Sequence, residues 1–232
     1  MLIGINRAIS GIRSAGLSYI KDNLKLYLDF KANKHDTLKF PCEGSTDFVS
    51  SSSQYINVGN SSSLQITGNT ITVTAWVNID TDTDWMKIIS NSTGGSYTDG
   101  YTFFYQNEQF HFSINEDTDY VAKVAYTDYG GWHHLTGVYD GTLASDNIKI
   151  YLDGVQSATT GTYTSNIGNT RDTYIGAGYT DSINGYMNGK MANVAVWDRA
   201  LSAEEVNSVM RKNYSQLGSV EKTSLVSWWA LD

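Results

Sequence analysis

Trp132-His133-His134-Leu135-Thr136-Gly137-Val138-Tyr139-Asp140-Gly141, followed by Ile148-Lys149-Ile150-Tyr151-Leu152-Asp153-Gly154, decides the fold class of this chain. Both stretches alternate in character residue by residue, and both end in Asp-Gly. Alternation with period two puts successive side chains on opposite faces of a strand. Asp-Gly adopts positive φ readily and closes two-residue hairpins. The reading is therefore two antiparallel strands ending in tight turns, with His133 and His134 on opposite faces.

The same pattern recurs outward from this point. Over residues 71–79 the odd positions Ile71, Val73, Ala75, Val77 and Ile79 are all apolar, which marks a strand with one buried face. Residues 24–30 alternate in the same way. Residues 101–105 and 110–114 read as a hairpin around Gln106-Asn107-Glu108-Gln109. Residues 174–176 and 193–197 complete the series. One helix is expected, from the capping box Ser202-Ala203-Glu204-Glu205, with Val206, Val209 and Met210 as its apolar stripe. Many short strands followed by one short helix near the C-terminus predict an all-β, two-sheet antiparallel β-sandwich.

Composition supports this. The chain has 232 residues, enough to bury a large core in one domain, and its 16 Tyr and 6 Trp suit pleated surfaces. A net charge of −8 repels phosphate backbones and anionic lipid, so neither nucleic acid nor a membrane surface is expected as a partner. The one cysteine, Cys42, allows no intrachain disulfide and no cysteine metal site. This fits synthesis in a reducing cytosol, or a core large enough to need no staple. No apolar run reaches membrane-spanning length, and Arg7 and Arg13 interrupt the apolar centre that a secretory peptide needs.

Residues 1–22 differ from the rest. Leu2, Ile5, Ile9 and Ile12 recur at helical spacing among glycines that weaken a helix. The segment is either a frayed terminus or an arm that docks on a partner or on a sibling copy. Residues 23–232 form the sandwich domain. The final residues, 224–232, echo 24–29; they either close the sheet or open a second repeat, which would imply a longer natural polypeptide.

Several of these segments resemble the laminin-G / concanavalin A-like (pentraxin-type) jelly rolls. The carriers are Asn69 to Val77, Trp132 to Gly141, Ile148 to Gly154, Tyr174-Ile175-Gly176 with Asn188 to Val194, and Trp197-Asp198-Arg199-Ala200-Leu201-Ser202 with its continuation. They occur in family order. The Met1 start and the 23–24 opening also resemble virion surface proteins of marine tailed bacteriophages. The resemblance implies a jelly roll and a lectin-like task. Calcium is common in the family, but Ser51-Ser52-Ser53-Gln54 stand where relatives often carry acidic residues.

The chemistry is sparse. Glycosidases of this shape present two or three carboxylates on one strand, and no Glu-x-Asp-x-Glu occurs. Asp80, Asp82 and Asp84 alternate directly after a strand; they are a solvated loop or a calcium site. Trp85, Tyr97, Tyr101, Tyr129 and Tyr179 lie in or beside polar loops, where each either packs or stacks on a sugar ring. The expectation is a non-enzymatic structural and binding module. It would be a virion fibre, decoration or tail component, held through its arm to virion proteins or copies of itself and touching a host glycan. The alternative is a free carbohydrate-binding or adhesion lectin, calcium-assisted, secreted or on a cell surface.

Overall fold

The protein is described from a computed structural model, which covers residues 41–42, 44–81, 85–92, 99–115, 120–168, 171–179 and 182–232. The arm with Leu2, Ile5, Ile9 and Ile12, the strand read over 24–30, Tyr97, Asp82 and Asp84 lie outside these residues.

Two antiparallel sheets face each other. The first contains β1 (Thr46–Phe48), β14 (Gly189–Trp197), β3 (Thr70–Ile79), β8 (His133–Asp140), β9 (Ile148–Leu152) and β10 (Val155–Gln156), in that order, with β15 (Leu225–Trp229) also paired to β14. The second runs β2 (Ile56–Gly59), β11 (Thr173–Ile175), β4 (Met86–Asn91), β5 (Tyr101–Gln106), β6 (Gln109–Ile114) and β7 (Val121–Ala125). A small hairpin, β12 (Gly178–Tyr179) with β13 (Ile183–Asn184), stands apart. Segment 224–232 thus contributes a closing strand.

The apolar faces read from the alternation meet between the sheets. Ile71, Val73, Val77 and Ile79 pack with Leu135, Ile148 and Ile150 of the same sheet and with Phe103, Phe110, Phe112 and Ile114 of the other. Each such side chain, fully removed from water, contributes about 1.5–3 kcal/mol. Gly137 faces the other sheet with no room for a side chain: a Cβ there would fall 2.2 Å from Phe112 Cγ.

The 71–79 strand departs from its expected single buried face. Thr72, Thr74, Trp76 and Asn78 are buried as well. The reason is a second apolar layer on the outside of the first sheet. Helix α1 (Ala203–Val209) packs Val206 and Val209 there with Trp197, Val138, Tyr151 and Leu217. The polar atoms underneath are satisfied: Thr72 Oγ1 donates to Arg199 O at 2.8 Å, and Trp76 Nε1 donates to Met210 O at 3.1 Å. The capping box forms as read, with Glu205 N donating to Ser202 Oγ and Ser202 N donating to Glu205 Oε2.

Turn chemistry holds at one Asp-Gly and fails at the other. Asp153 (φ 51°) and Gly154 (φ 79°) close the β9–β10 hairpin, and Asn107 (φ 50°) and Glu108 (φ 56°) close β5–β6. Asp140-Gly141 instead opens a longer loop. Asp140 still pairs, its N donating to Asn147 O, but its Oδ1 accepts from Thr142 N and Oγ1 and Gly141 N donates to Asn69 O, so the chain leaves the strand here without closing a two-residue turn.

Candidate functional site

A polar cleft beside the second sheet starts from the short strand β11, held between β2 and β4. Ile175 points into the core, so its neighbour Tyr174 points outward. After the turn at Gly176 the chain forms the β12–β13 hairpin, which lies across β4. Gly178 leaves room for the Lys87 side chain, whose Cδ would lie 2.4 Å from a Cβ there. Lys87 N donates to Gly185 O and Lys87 Nζ to Asn184 Oδ1, fixing the hairpin.

This arrangement brings Tyr179 beside Arg171, whose guanidinium carbon lies 5.6 Å from the Tyr179 ring centre. Asn60, Arg171, Asp172, Tyr174 and Tyr179 line a cavity of about 270 Å³. Asp172 Oδ2 accepts from Asn57 Nδ2 at 2.9 Å, which steadies its carboxylate. Tyr55, 39% exposed, extends the aromatic surface, with ring centres 6.0 Å from Tyr174 and 6.2 Å from Tyr186. Burial pushes the Tyr174 phenol above its usual range, and Asp172, Tyr55 and Tyr179 add to the shift, so it keeps its proton. Aromatic rings beside a guanidinium, a carboxylate and an amide suit a ligand with apolar C–H faces and hydroxyl edges.

Of the aromatic residues singled out in the sequence, Tyr179 lies in this cleft. Trp85 is 41% exposed and stacks on Phe104 with centres 5.7 Å apart and planes 7° apart; Phe104 in turn stacks on His111. Trp85 also has φ 67°, unusual for a bulky residue. Tyr101 is a correction: it is 1% exposed, because its position on β5 turns the ring into the core, so it offers no stacking face. Tyr129 is partly buried against the core, and its hydroxyl is 2.6 Å from that of Tyr105. Asp80 is exposed at the end of β3, with its N–H donating to Asn188 O. Among the described residues no group of three or more His, Cys, Asp or Glu is placed to hold a metal. Sequence reasoning missed Asn60, Arg171, Asp172 and Tyr174, and Tyr55 beside them. One signal was present: Arg171-Asp172 immediately precedes the strand of Tyr174.

With fold and cleft in view, residues 50–207 match the family model of the concanavalin A-like lectin/glucanases superfamily. The chain belongs to that superfamily. No curated protein matches it in sequence. Among solved structures it is similar to a heptameric SAP-like pentraxin from Limulus polyphemus, with TM-score 0.53, 16% identity, and coverage of 75% of this chain and 84% of that one. It is also similar to a candidate carbohydrate-binding protein from Bacteroides ovatus, with TM-score 0.60 and 16% identity, over 81% of this chain and 51% of that one. A third is the NanB sialidase of Streptococcus pneumoniae, with TM-score 0.54 and 19% identity, over 72% of this chain but 27% of that enzyme. At these identities the likeness is one of fold. Among the described residues, no helix is long and apolar enough to cross a membrane.

Proposed function

We propose that this chain is a non-catalytic, lectin-like module that binds a glycan in the cleft of Tyr179, Tyr174, Arg171, Asp172 and Asn60. The observation that carries the reading is the Tyr179 ring set beside the Arg171 guanidinium on a polar cleft. The Bacteroides ovatus neighbour, described as a candidate carbohydrate-binding protein, supports the ligand class. Support for the absence of catalysis comes from the carboxylates: Asp172 is the one carboxylate among the described residues lining the cleft, whereas glycoside hydrolysis uses a pair. Calcium assistance through Asp80, Asp82 and Asp84 is part of the proposal, resting on sequence.

Display on a virion, through the arm of residues 1–22, is the setting proposed for this module. Its support is the sequence pattern alone. Deleting residues 1–22 should abolish incorporation into particles while the sandwich stays folded; retained incorporation would reject the anchor.

The test of the binding role is a glycan array, with and without a chelator, using the full chain and a Tyr179→Ala variant. Binding to a defined glycan set is expected, with the part held by this cleft lost in the variant at unchanged Tm. No binding in either condition would overturn the reading.

A further inference from the structure

A second cavity lies on the other sheet, outside the cleft just described. It has a volume of about 260 Å³ and is lined by Cys42, Asn193, Asn213, Tyr214, Ser215, Trp228, Ala230 and Asp232. One wall is a bulge in β14 at Asn193. Pairing with β3 shifts between Ala192 and Ala195, and Asn193 takes up the slack at φ 46°. Asn193 N donates to Ala230 O at 2.9 Å, and its Oδ1 accepts from Trp228 Nε1 at 3.1 Å. The indole can only donate, so this bond fixes which end of the amide is which. The remaining end, Nδ2, is buried and finds no acceptor, in a residue that is 3% exposed. A buried donor without an acceptor carries an unrecovered desolvation penalty, which a ligand oxygen would remove.

The surroundings narrow the ligand. Trp228 and Tyr214 supply an aromatic wall, with ring centres 6.2 Å apart. A cation is disfavoured, because the Lys222 ammonium already sits 4.4 Å from the centre of the Tyr214 ring and an ammonium has no acceptor to offer Nδ2. An anion is disfavoured by the Asp232 carboxylate in the lining and by the net charge of −8. The Cys42 thiol, pushed up to about 12 by burial and then by Asp232, stays neutral. What remains is a neutral molecule with an acceptor oxygen and an apolar face.

We infer that this cavity is a second saccharide site, in which a neutral sugar lies against Trp228 and Tyr214 and a ring or hydroxyl oxygen accepts from Asn193 Nδ2. It is independent of the Tyr179 cleft, and the two stand on different sheets.

The test is ¹H–¹⁵N NMR of the full chain titrated with methyl glycosides of glucose, galactose, mannose and N-acetylglucosamine. At least one glycoside should move the Asn193 side-chain amide and the Trp228 indole signals in a saturable way. Tyr214 is 51% exposed, so Tyr214→Ala should leave the fold intact. It should weaken that binding about tenfold, the loss of roughly one stacking contact. Tyr179→Ala should leave these shifts unchanged. If none of the four glycosides moves the two signals, or if Tyr214→Ala does not alter the titration, the inference fails. Shifts confined to the Tyr179 cleft would overturn this site and leave the cleft reading standing; shifts confined to Asn193 and Trp228 would do the reverse.

Discussion

His133 Nδ1 lies 2.7 Å from Asp153 Oδ2, so the first residue of β8 is clamped to the turn that ends β9. The other oxygen of the same carboxylate accepts from His134 N at 2.8 Å, and Asp128 Oδ2 approaches the far side of the imidazole at 3.1 Å. The hydrogen bond to Asp153 raises the His133 pKa above its ordinary 6.5, against an opposing effect of burial. The folded state therefore holds this proton more tightly than the unfolded chain. Its stabilising effect is complete below the unfolded value and fades as pH rises through the folded one. Asp153→Asn should lower Tm most at acidic pH, near 5–6 in order of magnitude, with a deficit that shrinks as His133 titrates. A pH-independent deficit in melting curves would contradict the clamp.

His134, next in sequence, carries the opposite sign. Burial lowers its pKa to about 3, so it stays neutral where the unfolded chain takes up a proton. It costs stability as pH falls below 6.5, its ordinary value. An NMR titration should find His133 titrating above 6.5 and His134 remaining neutral at pH 5, roughly two units above its folded value.

Gly137 owes its identity to the facing sheet. Gly137→Ala should destabilise by about 1–3 kcal/mol, as overpacked cores do. Phe112→Leu in the same chain should recover part of that loss, since Phe112 is the side chain a new Cβ meets. Urea unfolding of the two single variants and the double variant measures the coupling; strict additivity would show that the two sites do not compete for space.

Arg199 holds Glu205 through two bonds, each 2.8 Å, just where the capping box starts α1. Arg199→Lys keeps the charge and loses the fork, at a cost of about 1 kcal/mol. The Arg199 hydrogen bond is the main influence holding the Glu205 carboxyl below its usual range. The wild-type advantage is therefore present above the ordinary carboxylate value and disappears as pH falls through the lowered one. Denaturation at neutral and acidic pH compares the two proteins.

The aromatic residues separate by position. Tyr101→Phe should leave glycan binding unchanged, because that ring is inside the sandwich, while Tyr179→Ala should abolish binding in the Tyr179 cleft. A chelator that removes binding would place the calcium part of the proposal on firm ground, and chelator-resistant binding would reject it.

The strands were legible because alternation is a local property: residues 71–79, 101–114 and 148–154 each carry their pattern within a few positions. The capping box at Ser202 and Glu205 is equally local. The second apolar layer was hidden because Thr72 and Trp76 are covered by residues more than a hundred positions away. The Asp140-Gly141 turn failed for a related reason, since Asn69, distant in sequence, captures the Gly141 N–H. Tyr179 was visible as a polar-loop aromatic, yet Asn60, which lines the same cleft, comes from another part of the chain. Tyr101 was misread because Tyr101-Thr102-Phe103-Phe104-Tyr105 does not show which of its faces meets the core until the register with its neighbours is known.

β14 lies between partners from distant parts of the polypeptide. It pairs with β3 and β1 from the early part of the described chain and with β15 from its last residues, and Thr46 Oγ1 donates to Leu231 O across 185 positions. During synthesis, then, this sheet stays unfinished, its backbone groups open along one side, until the segment carrying Trp228 has left the ribosome. Folding should be slow and governed by chain closure, and the nascent protein is most exposed to mispairing just before that segment emerges.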